Sequence, residues 1–562
     1  MSACCALTLA LTFYACQKKN QSATCSTCHP LADSMMVVSA RREASEVGLQ
    51  IMLDGGNAFD AAIAVHFALA VVYPQAGNIG GGGFMIAHTQ YGENICLDFR
   101  ETAPMAAHEK MYLHPDGTVQ QRASLLGGLA CGVPGSVHGM FELHRKYGSK
   151  SWYELLQPAI HWAENGFVLT SLDVEEINAV RHELDSINGM NVFTSRRWKE
   201  GDTLRQPDLA RTLILIAHNP SCFYKGAIAD TLIAAVNNSG GILQKDDLLA
   251  YRSVWRKPIE ISFLNYRIIT MPPPGSGGLA LAQILSWLEM THVQNYKHHS
   301  ASYIQLIAEL EKRAYADRSM FLGDPDFIQI PLSELLSKEY LSNRLEMFPV
   351  HQVTPSTSIL PGEISFHEHE QTTHFSIVDA FGNAVSLTTT INSAYGSRLI
   401  VNGAGFIMNN EMDDFSVKPG EKNQFGLLGG KANRIQANKR MLSSMTPVVV
   451  LKDNNPVMVI GSPGGATIIT TVLQNLLNVL VFNMGMQQSV NQPRFHHQWM
   501  PDVLFLEPAW EEWAVLVDSL RRMGYTIQFR SPIGRVSAIV KTPGGKWEGG
   551  ADTRGDNVAC GR

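Results

Sequence analysis

The 562-residue sequence carries little surplus charge. Its 45 lysines and arginines stand against 51 aspartates and glutamates, a formal net charge of −6, and charged residues make up only 17% of the chain. So mild a balance lacks the basic stripe of a nucleic-acid binder and has no pull toward an anionic membrane surface. Cysteine is sparse in the body of the chain. Of nine, five precede residue 30, and Cys96, Cys131, Cys222 and Cys560 are scattered, so no disulfide framework is visible. No internal repeat is apparent. What is abundant is ordinary apolar residue, 45%, as expected of a soluble globular protein with a large buried core.

The start of the chain stands apart. Ala6 to Ala15 is apolar but too short to span a bilayer, and it has the length of a signal-peptide core. Ala15-Cys16 followed by Gln17-Lys18-Lys19-Asn20 resembles a bacterial lipoprotein cleavage site with Cys16 as the lipidated residue. No Lys or Arg precedes the apolar run, however, and Phe13-Tyr14 stand where small or aliphatic residues are usual. The expectation is a signal peptide or lipoprotein signal over 1–16, a flexible linker over 17–37, and an exported protein, periplasmic or membrane-anchored as a lipoprotein. Cys25-Ser-Thr-Cys28-His29 matches the C-x-x-C-H pattern of c-type haem attachment. In a short Ser/Thr-rich leader without a packed shell or second axial ligand it reads as a solvated tail, and no cofactor or metal is expected.

Further along, apolar residues recur at helical spacing from Ala44, Gly55-Gly56 makes a break, and Asn57 or Asp60 caps an Ala-rich helix ended by Pro74. His66 reads as a core histidine. Gly80-Gly81-Gly82-Gly83 leads into a strand, Phe84 to Ala87. No Gly-Lys-Ser/Thr follows it, so it is no phosphate loop, and four glycines read instead as tight packing beside a site. Leu97 to Glu101 is a strand end carrying Arg100. From about Tyr153 to Lys338 the pattern is mainly helical, with a turn cluster at Met271–Gly278. Residues 350–370 read as an exposed loop. The pattern then turns to β: His374 to Val378, a turn at Asp379–Asn383, a return over Ala384 to Ile391, and a pair of apolar runs flanking Lys452–Asn455. Gly461-Ser-Pro-Gly-Gly465 opens a helix over Ala466 to Val481. Arg494-Phe-His-His497 reads as structural, because adjacent strand residues face opposite ways.

The chemistry centres on Gln371-Thr372-Thr373-His374. A threonine inside a chain has no base attached to its hydroxyl. At a chain start, its own α-amine takes the proton. If the Gln371–Thr372 bond is cut, Thr372 carries both nucleophile and base, and that amine's ordinary pKa of about 7.7–8 suits proton transfer near neutrality. The reaction class is acyl transfer. Gly464-Gly465, at a strand-to-helix turn, is the candidate oxyanion hole. Asn409-Asn-Glu-Met-Asp-Asp414 offers carboxylates for an ammonium group, Ser443-Ser444 two hydroxyls in an apolar setting, and Arg100 a fork for a carboxylate. Together they would read the head group of an amino acid.

Many segments in order carry a resemblance to a known family. They are Asp54-Gly-Gly-Asn57, Pro74 to Phe84, Asp98-Phe-Arg-Glu101, Val133-Pro-Gly-Ser136, Pro272 to Gly278 and Arg313-Ala-Tyr-Ala-Asp-Arg318. The second part adds Thr372-Thr-His374, Asn409 to Asp414, Leu442-Ser-Ser-Met445, Gly461 to Gly465 and Pro493 to His497. The chain, from about Val38 onward, resembles the gamma-glutamyltransferases, also called glutathione hydrolases. The resemblance implies an α+β, four-layer αββα sandwich of the N-terminal nucleophile hydrolase type. It implies two subunits cut from one precursor, residues 38–371 and 372–562, that stay together. By position it makes Thr372 the nucleophile and Thr390 its helper. Asn392, Glu411 and Asp414 bind the substrate α-amino group; Arg100, Ser443 and Ser444 hold its α-carboxylate; Gly464 and Gly465 form the oxyanion hole. Pro419 to Gly430 matches a lid loop, with Phe425 where lidded bacterial members often have tyrosine, and Glu411 replaces a glutamine of some bacterial members. The partners implied are glutathione and other gamma-glutamyl compounds, amino-acid or peptide acceptors and water. A related acylase or a poly-gamma-glutamate depolymerase is the alternative on the same fold.

Overall fold

The computed structural model describes residues 29–346, 352–359, 372–418 and 430–562. Two seven-stranded sheets, in which every neighbouring pair runs antiparallel, form its centre. The first sheet runs in the order Leu31–Ala32, Trp547–Ala551, Ser537–Lys541, Asn455–Gly461, Val448–Lys452, Tyr266–Thr270, Ile259–Phe263. The second runs Val558–Gly561, Met36–Ser39, Thr372–Val378, Ala384–Thr390, Gly82–His88, Asn94–Asp98, Val254–Arg256. Both sheets therefore interleave blocks of strands from before and after residue 372.

Helices flank the two sheets. On the outer side of the second, Phe375, Ile377, Val385 and Leu387 join one apolar cluster with helix Ala58–Val72 and its neighbours. All fifteen residues of that helix are buried, so apolar residues surround it on every side rather than on one stripe. Its start is a full capping box: Asn57 Oδ1 accepts from the Phe59 and Asp60 amides, and the Asp60 carboxylate accepts from the Asn57 amide. On the other side, Val38, Phe84 and Ile86 of the second sheet meet Val448, Val450, Met458 and Ile460 of the first, together with helices Gly277–Met290, Ala301–Phe321 and Thr467–Leu480.

The hairpin expected after Thr372 is present in register, Thr372 opposite Thr390 and Val378 opposite Ala384. The turn expected over Lys452–Asn455 narrows to Asp453-Asn454, both with positive φ (50° and 61°), as a two-residue hairpin with right-handed twist requires. The largely helical reading of 153–338 misses a small pair, Phe167–Val168 with Thr203–Leu204, and three further strands, Val254–Arg256, Ile259–Phe263 and Tyr266–Thr270, which complete the far edges of both large sheets. The linker expected through residue 37 is already sheet at Leu31–Ala32 and Met36–Ser39, because these residues pair with Trp547–Glu548 and Val558–Gly561. Cys560 is disulfide-bonded, although the cysteine spacing shows no disulfide framework. Among the described residues, Cys96, Cys131 and Cys222 are free thiols. The leader with Cys16, Cys25 and Cys28 lies outside the described residues, as do Gln371, residues 360–370 of the loop before it and residues 419–429 of the lid match.

Several histidines are buried uncharged. Burial pushes His66 down to about 3, with its ring against the edges of Phe67 and Phe99, and holds His374 and His496 at about 3 as well. In the unfolded chain such a residue titrates near 6.5. As pH falls from there toward 3 the unfolded chain takes up protons that the folded chain refuses. The stabilisation is complete above pH 6.5 and is lost at about 1.4 kcal/mol per pH unit for each such histidine. Thermal midpoints measured across pH should fall steeply below pH 6.5, and His66→Leu should make the fall shallower by one proton; an unchanged slope would contradict this assignment.

Candidate functional site

Thr372 opens its strand in the interior of the second sheet and is buried at 6% exposure. Side chains alternate along it. Thr373, Phe375 and Ile377 face away, while Thr372 shares its face with His374 and Ser376, which look toward the first sheet. That shared face is polar and fully stitched. His374 Nδ1 pairs with Thr388 Oγ1 at 2.9 Å, Ser376 Oγ donates to Ser537 O at 2.9 Å, and Ser386 Oγ donates to Ile460 O at 3.0 Å. Thr372 Oγ1 donates to Thr390 Oγ1 at 3.4 Å, and Thr390 Oγ1 accepts from the Asn392 amide at 2.8 Å. Asn392 holds a positive φ of 73°, a conformation asparagine tolerates, and its Nδ2 donates to Asn410 O at 3.0 Å.

The glycine run does what close packing demands. A Cβ on Gly81 would stand 2.1 Å from Thr390 O, and one on Gly83 2.3 Å from Thr388 O. Asn78 closes the same corner, donating to Thr390 O and Thr389 Oγ1 and accepting from the Gly81 amide. A Cβ on Gly82 would strike the Glu101 carboxylate, so that side chain lies directly beside the strand facing Thr390.

Arg100, at 1% exposure, is the hub of a buried charge cluster. Its Nη1 lies 2.5 Å from Glu411 Oε2 and 3.5 Å from Glu101 Oε2, and its Nη2 pairs with Asp414. Burial alone would lower its pKa, but the three carboxylates hold it above the ordinary arginine value. The carboxylates respond the other way. Burial, only partly offset by Arg100, lifts Glu101 to about 8, Glu411 well above the usual carboxylate range and Asp414 above it. Arg100, even with Arg318 acting on Asp414, does not balance three buried carboxyls, so burial favours their protonated forms in the absence of a further positive charge such as a ligand ammonium.

Of the six residues Asn409–Asp414, only Glu411 and Asp414 meet Arg100. Asp413 turns away and accepts from Ser124 Oγ at 2.5 Å, while Asn409 bridges Gly80 O and Gly132 O. Asn433, which sequence reasoning missed, ties the two halves of the site: its Nδ2 donates to Asp414 O at 2.7 Å and its Oδ1 accepts from the Leu442 amide at 3.1 Å. Next to Leu442, Ser443 and Ser444 are buried at 3% and 7%, and Arg100 Nη2 reaches Leu442 O at 3.4 Å. Glu101 was also missed as a third anion, though it adjoins Arg100 in sequence.

Gly464 and Gly465 have φ of 136° and 52°, and their carbonyls accept from the first turn of helix Thr467–Leu480. The strand before them ends at Gly461, where a Cβ would touch the His374 ring at 2.4 Å. Thr372 and this turn thus project from the same end of the two sheets. His496 and His497 are spent on separate partners, Thr470 and Gln498 for the first and Asp502 for the second. Among the described residues no group of His, Cys, Asp or Glu is placed to hold a metal ion, and no helix is long and apolar enough to cross a membrane. The arrangement places a threonine hydroxyl beside a buried cluster of one guanidinium and three carboxyls, a geometry that suits attack of the hydroxyl on a carbonyl.

Residues 44–561 match the family model for gamma-glutamyltranspeptidase. The chain is 41% identical to the glutathione hydrolase proenzyme of Escherichia coli K12 over 95% of its length and 93% of that protein's. Among solved structures, a cephalosporin acylase from Bacillus halodurans superposes with a TM-score of 0.83 at 26% identity, over 95% of this chain and 96% of that one. The gamma-glutamyltranspeptidase of Helicobacter pylori superposes with a TM-score of 0.56 at 40% identity, over 58% of this chain and 94% of that one.

Proposed function

Because the chain belongs to the gamma-glutamyltranspeptidase family, we propose that the Thr372 site cleaves gamma-glutamyl amides, glutathione among them, by hydrolysis and by transfer of the glutamyl group to amino acids or peptides. The protein is a glutathione hydrolase and gamma-glutamyltransferase made as a proenzyme. One observation carries the assignment of the site: Arg100 meets Glu411 and Asp414, more than 300 positions further along the chain, in one buried cluster beside the strand pair that begins at Thr372.

In this reading the proenzyme cuts itself between Gln371 and Thr372, giving a large subunit, 38–371, and a small one, 372–562, in a four-layer αββα sandwich of the N-terminal nucleophile type. The freed Thr372 amine takes the hydroxyl proton, and the oxygen attacks the γ-carbonyl. Thr390, already accepting from the Asn392 amide, fixes the nucleophile's rotamer. The carbonyl oxygen's developing charge is met by amides of Gly464 and Gly465, a contribution of roughly 2.7–4 kcal/mol per donor where one has been isolated in other enzymes. The amine or thiol-bearing fragment leaves with the proton, and water or an acceptor amine releases the ester. Asn392, Glu411 and Asp414 receive the donor α-ammonium, and Arg100, Ser443 and Ser444 its α-carboxylate. On binding, the ligand exchanges places with the protein's own ion pairs: its carboxylate takes Arg100 and its ammonium takes the acids.

The acylase alternative draws on the B. halodurans superposition. The buried acids beside Arg100 speak against it, since such a set suits a head group that carries both an ammonium and a carboxylate. A poly-gamma-glutamate depolymerase shares the γ-linkage and differs only in substrate length. Export, with Cys16 as a lipid anchor, is supported by the apolar run Ala6–Ala15 and by the Cys560 disulfide, since disulfides persist in oxidising compartments.

Denaturing gels with N-terminal sequencing should show two chains, the smaller beginning Thr-Thr-His; Thr372→Ala should give one uncut chain without glutamate release, and Thr372→Ser slower processing and turnover. A single full-length wild-type band after long incubation would sink the mechanism. Kinetics with gamma-glutamyl-p-nitroanilide and glutaryl-p-nitroanilide should favour the former by about 100-fold or more, the scale on which a polar site rejects an analogue that leaves its groups unpaired. Arg100→Gln should raise KM for the glutamyl donor while processing continues. Labelled palmitate should be incorporated into the wild type and lost in Cys16→Ser; incorporation that survives the substitution would overturn lipidation at that residue.

A further inference from the structure

Resting on the reading that Ser443 and Ser444 seat the donor's α-carboxylate, the geometry points to Arg318 as the residue that makes this seat selective for a carboxylate over a carboxamide. Arg318 lies near the end of helix Ala301–Phe321 and is 4% exposed. Its Nη2 donates to Ser444 Oγ at 2.9 Å and its Nε to Ser276 Oγ at 2.8 Å. A serine hydroxyl has one hydrogen to give and lone pairs to receive, while arginine has only hydrogens to give. Ser444 Oγ must therefore accept from Arg318, and its single O–H is left to point elsewhere, toward the ligand.

The neighbouring hydroxyl is polarised in the same sense by a different donor. Ser443 Oγ accepts from the Met445 amide at 3.2 Å, another group that can only give. Ser276 relays the constraint: its Oγ accepts from Arg318, donates to Ser443 O at 2.7 Å, and its amide meets the same carbonyl at 2.7 Å. The Ser443 amide is taken by Pro274 O at 3.0 Å. Two O–H donors, together with the Arg100 fork, form an acceptor-seeking seat. A carboxylate offers acceptors only. A carboxamide has to present an NH₂ to one of these donors, which leaves a donor facing a donor in a buried site. The guanidinium's charge acts in the same direction, and its pull on nearby Asp414 opposes the rise that burial causes there.

Arg318 is on this account a positioning residue, acting through Ser444 without touching the reacting atoms. The test uses the processed wild-type enzyme and Arg318→Gln, Arg318→Lys and Ser444→Ala variants, with gamma-glutamyl-p-nitroanilide and its α-carboxamide as paired donors. Glutamine can accept from Ser444 and release the constraint; lysine, a donor only, maintains it. Arg318→Gln should raise KM for the carboxylate donor by about tenfold or more, as for loss of a charge-assisted hydrogen bond. It should leave kcat within about threefold, and so shrink the preference for carboxylate over carboxamide. Arg318→Lys should keep most of that preference, and Ser444→Ala should lose it, with little further effect when combined with Arg318→Gln. Equal losses on both donors, or a fall in kcat at constant KM, would overturn the proposal. If Arg318→Gln does not fold, a folded Arg318→Lys enzyme without the preference would overturn it equally. Ser444→Ala with unchanged KM for the carboxylate donor would instead refute the seat itself, an outcome separable from failure of Arg318 alone.

Discussion

Everything at the site depends on one register: Thr372 opposite Thr390, and Thr390 opposite Gly82. In a β-strand a slip of one residue turns every side chain to the other face. Here it would bury the Thr372 hydroxyl against the helical layer and bring Thr373 round instead. The register is pinned on both faces. Phe375 and Ile377 lock the apolar side among the helices, and His374 and Ser376 lock the other through hydrogen bonds to Thr388 and to the first sheet. The second lock is the unusual one, since an inter-sheet core is ordinarily apolar. A slipped strand would leave those hydroxyls and the imidazole buried without partners, at about 1–3 kcal/mol for each group. The same polar seam that specifies the register also makes room for a reactive hydroxyl at its end.

The glycines follow from this constraint rather than adding to it. Thr390 O lies so close to Gly81 that no side chain fits between, and the Glu101 carboxylate occupies the space a side chain on Gly82 would need. Close approach lets the strand Gly82–His88 and the charged cluster around Arg100 share one corner. There the electrostatics are deliberately unbalanced. A buried ion pair that is fully matched contributes little net stability, and an unmatched one is costly unless its acids hold protons, which the raised Glu101, Glu411 and Asp414 values express. On the proposed reading, a ligand with one ammonium and one carboxylate would convert that arrangement into paired charges, and the site would select for an amino-acid head group.

How much of this was legible in the sequence depended on the range of the determining contact. The hairpin from Thr372, the capping box at Asn57 and Asp60 and the turn near Asp453 rest on residues a few positions apart, and their patterns are visible directly. The strands at 254–270 were not, because Ile259–Phe263 is a short, partly exposed edge strand that pairs with Tyr266–Thr270, and the other partner of Tyr266–Thr270, Val448–Lys452, lies some 180 positions on. The site divides in the same way. Arg100, Glu411 and Asp414 were read as separate clusters that recognise one head group, but their direct pairing appears only in three dimensions. Arg318, Ser276 and Asn433 were invisible as site residues: each acts on a backbone or hydroxyl group of a distant segment, and nothing in an Ala-Asp-Arg or a Gly-Ser-Gly says which serine it will orient.

The topology also explains why a cut before Thr372 is compatible with one lasting structure. The strand that would carry the new chain start lies between Met36–Ser39, from the first part of the chain, and Ala384–Thr390, from the second, and Ala384–Thr390 in turn pairs with Gly82–His88 of the first. The other sheet repeats the alternation, with Tyr266–Thr270 against Val448–Lys452 and Leu31–Ala32 against Trp547–Ala551. Separating the two parts would break ladder hydrogen bonds at several seams and expose both apolar clusters, each of which draws residues from both parts. A single peptide bond contributes nothing to those seams beyond connectivity. Its loss would free one amine at the head of an interior strand and leave the surrounding sheet to hold that amine beside the hydroxyl.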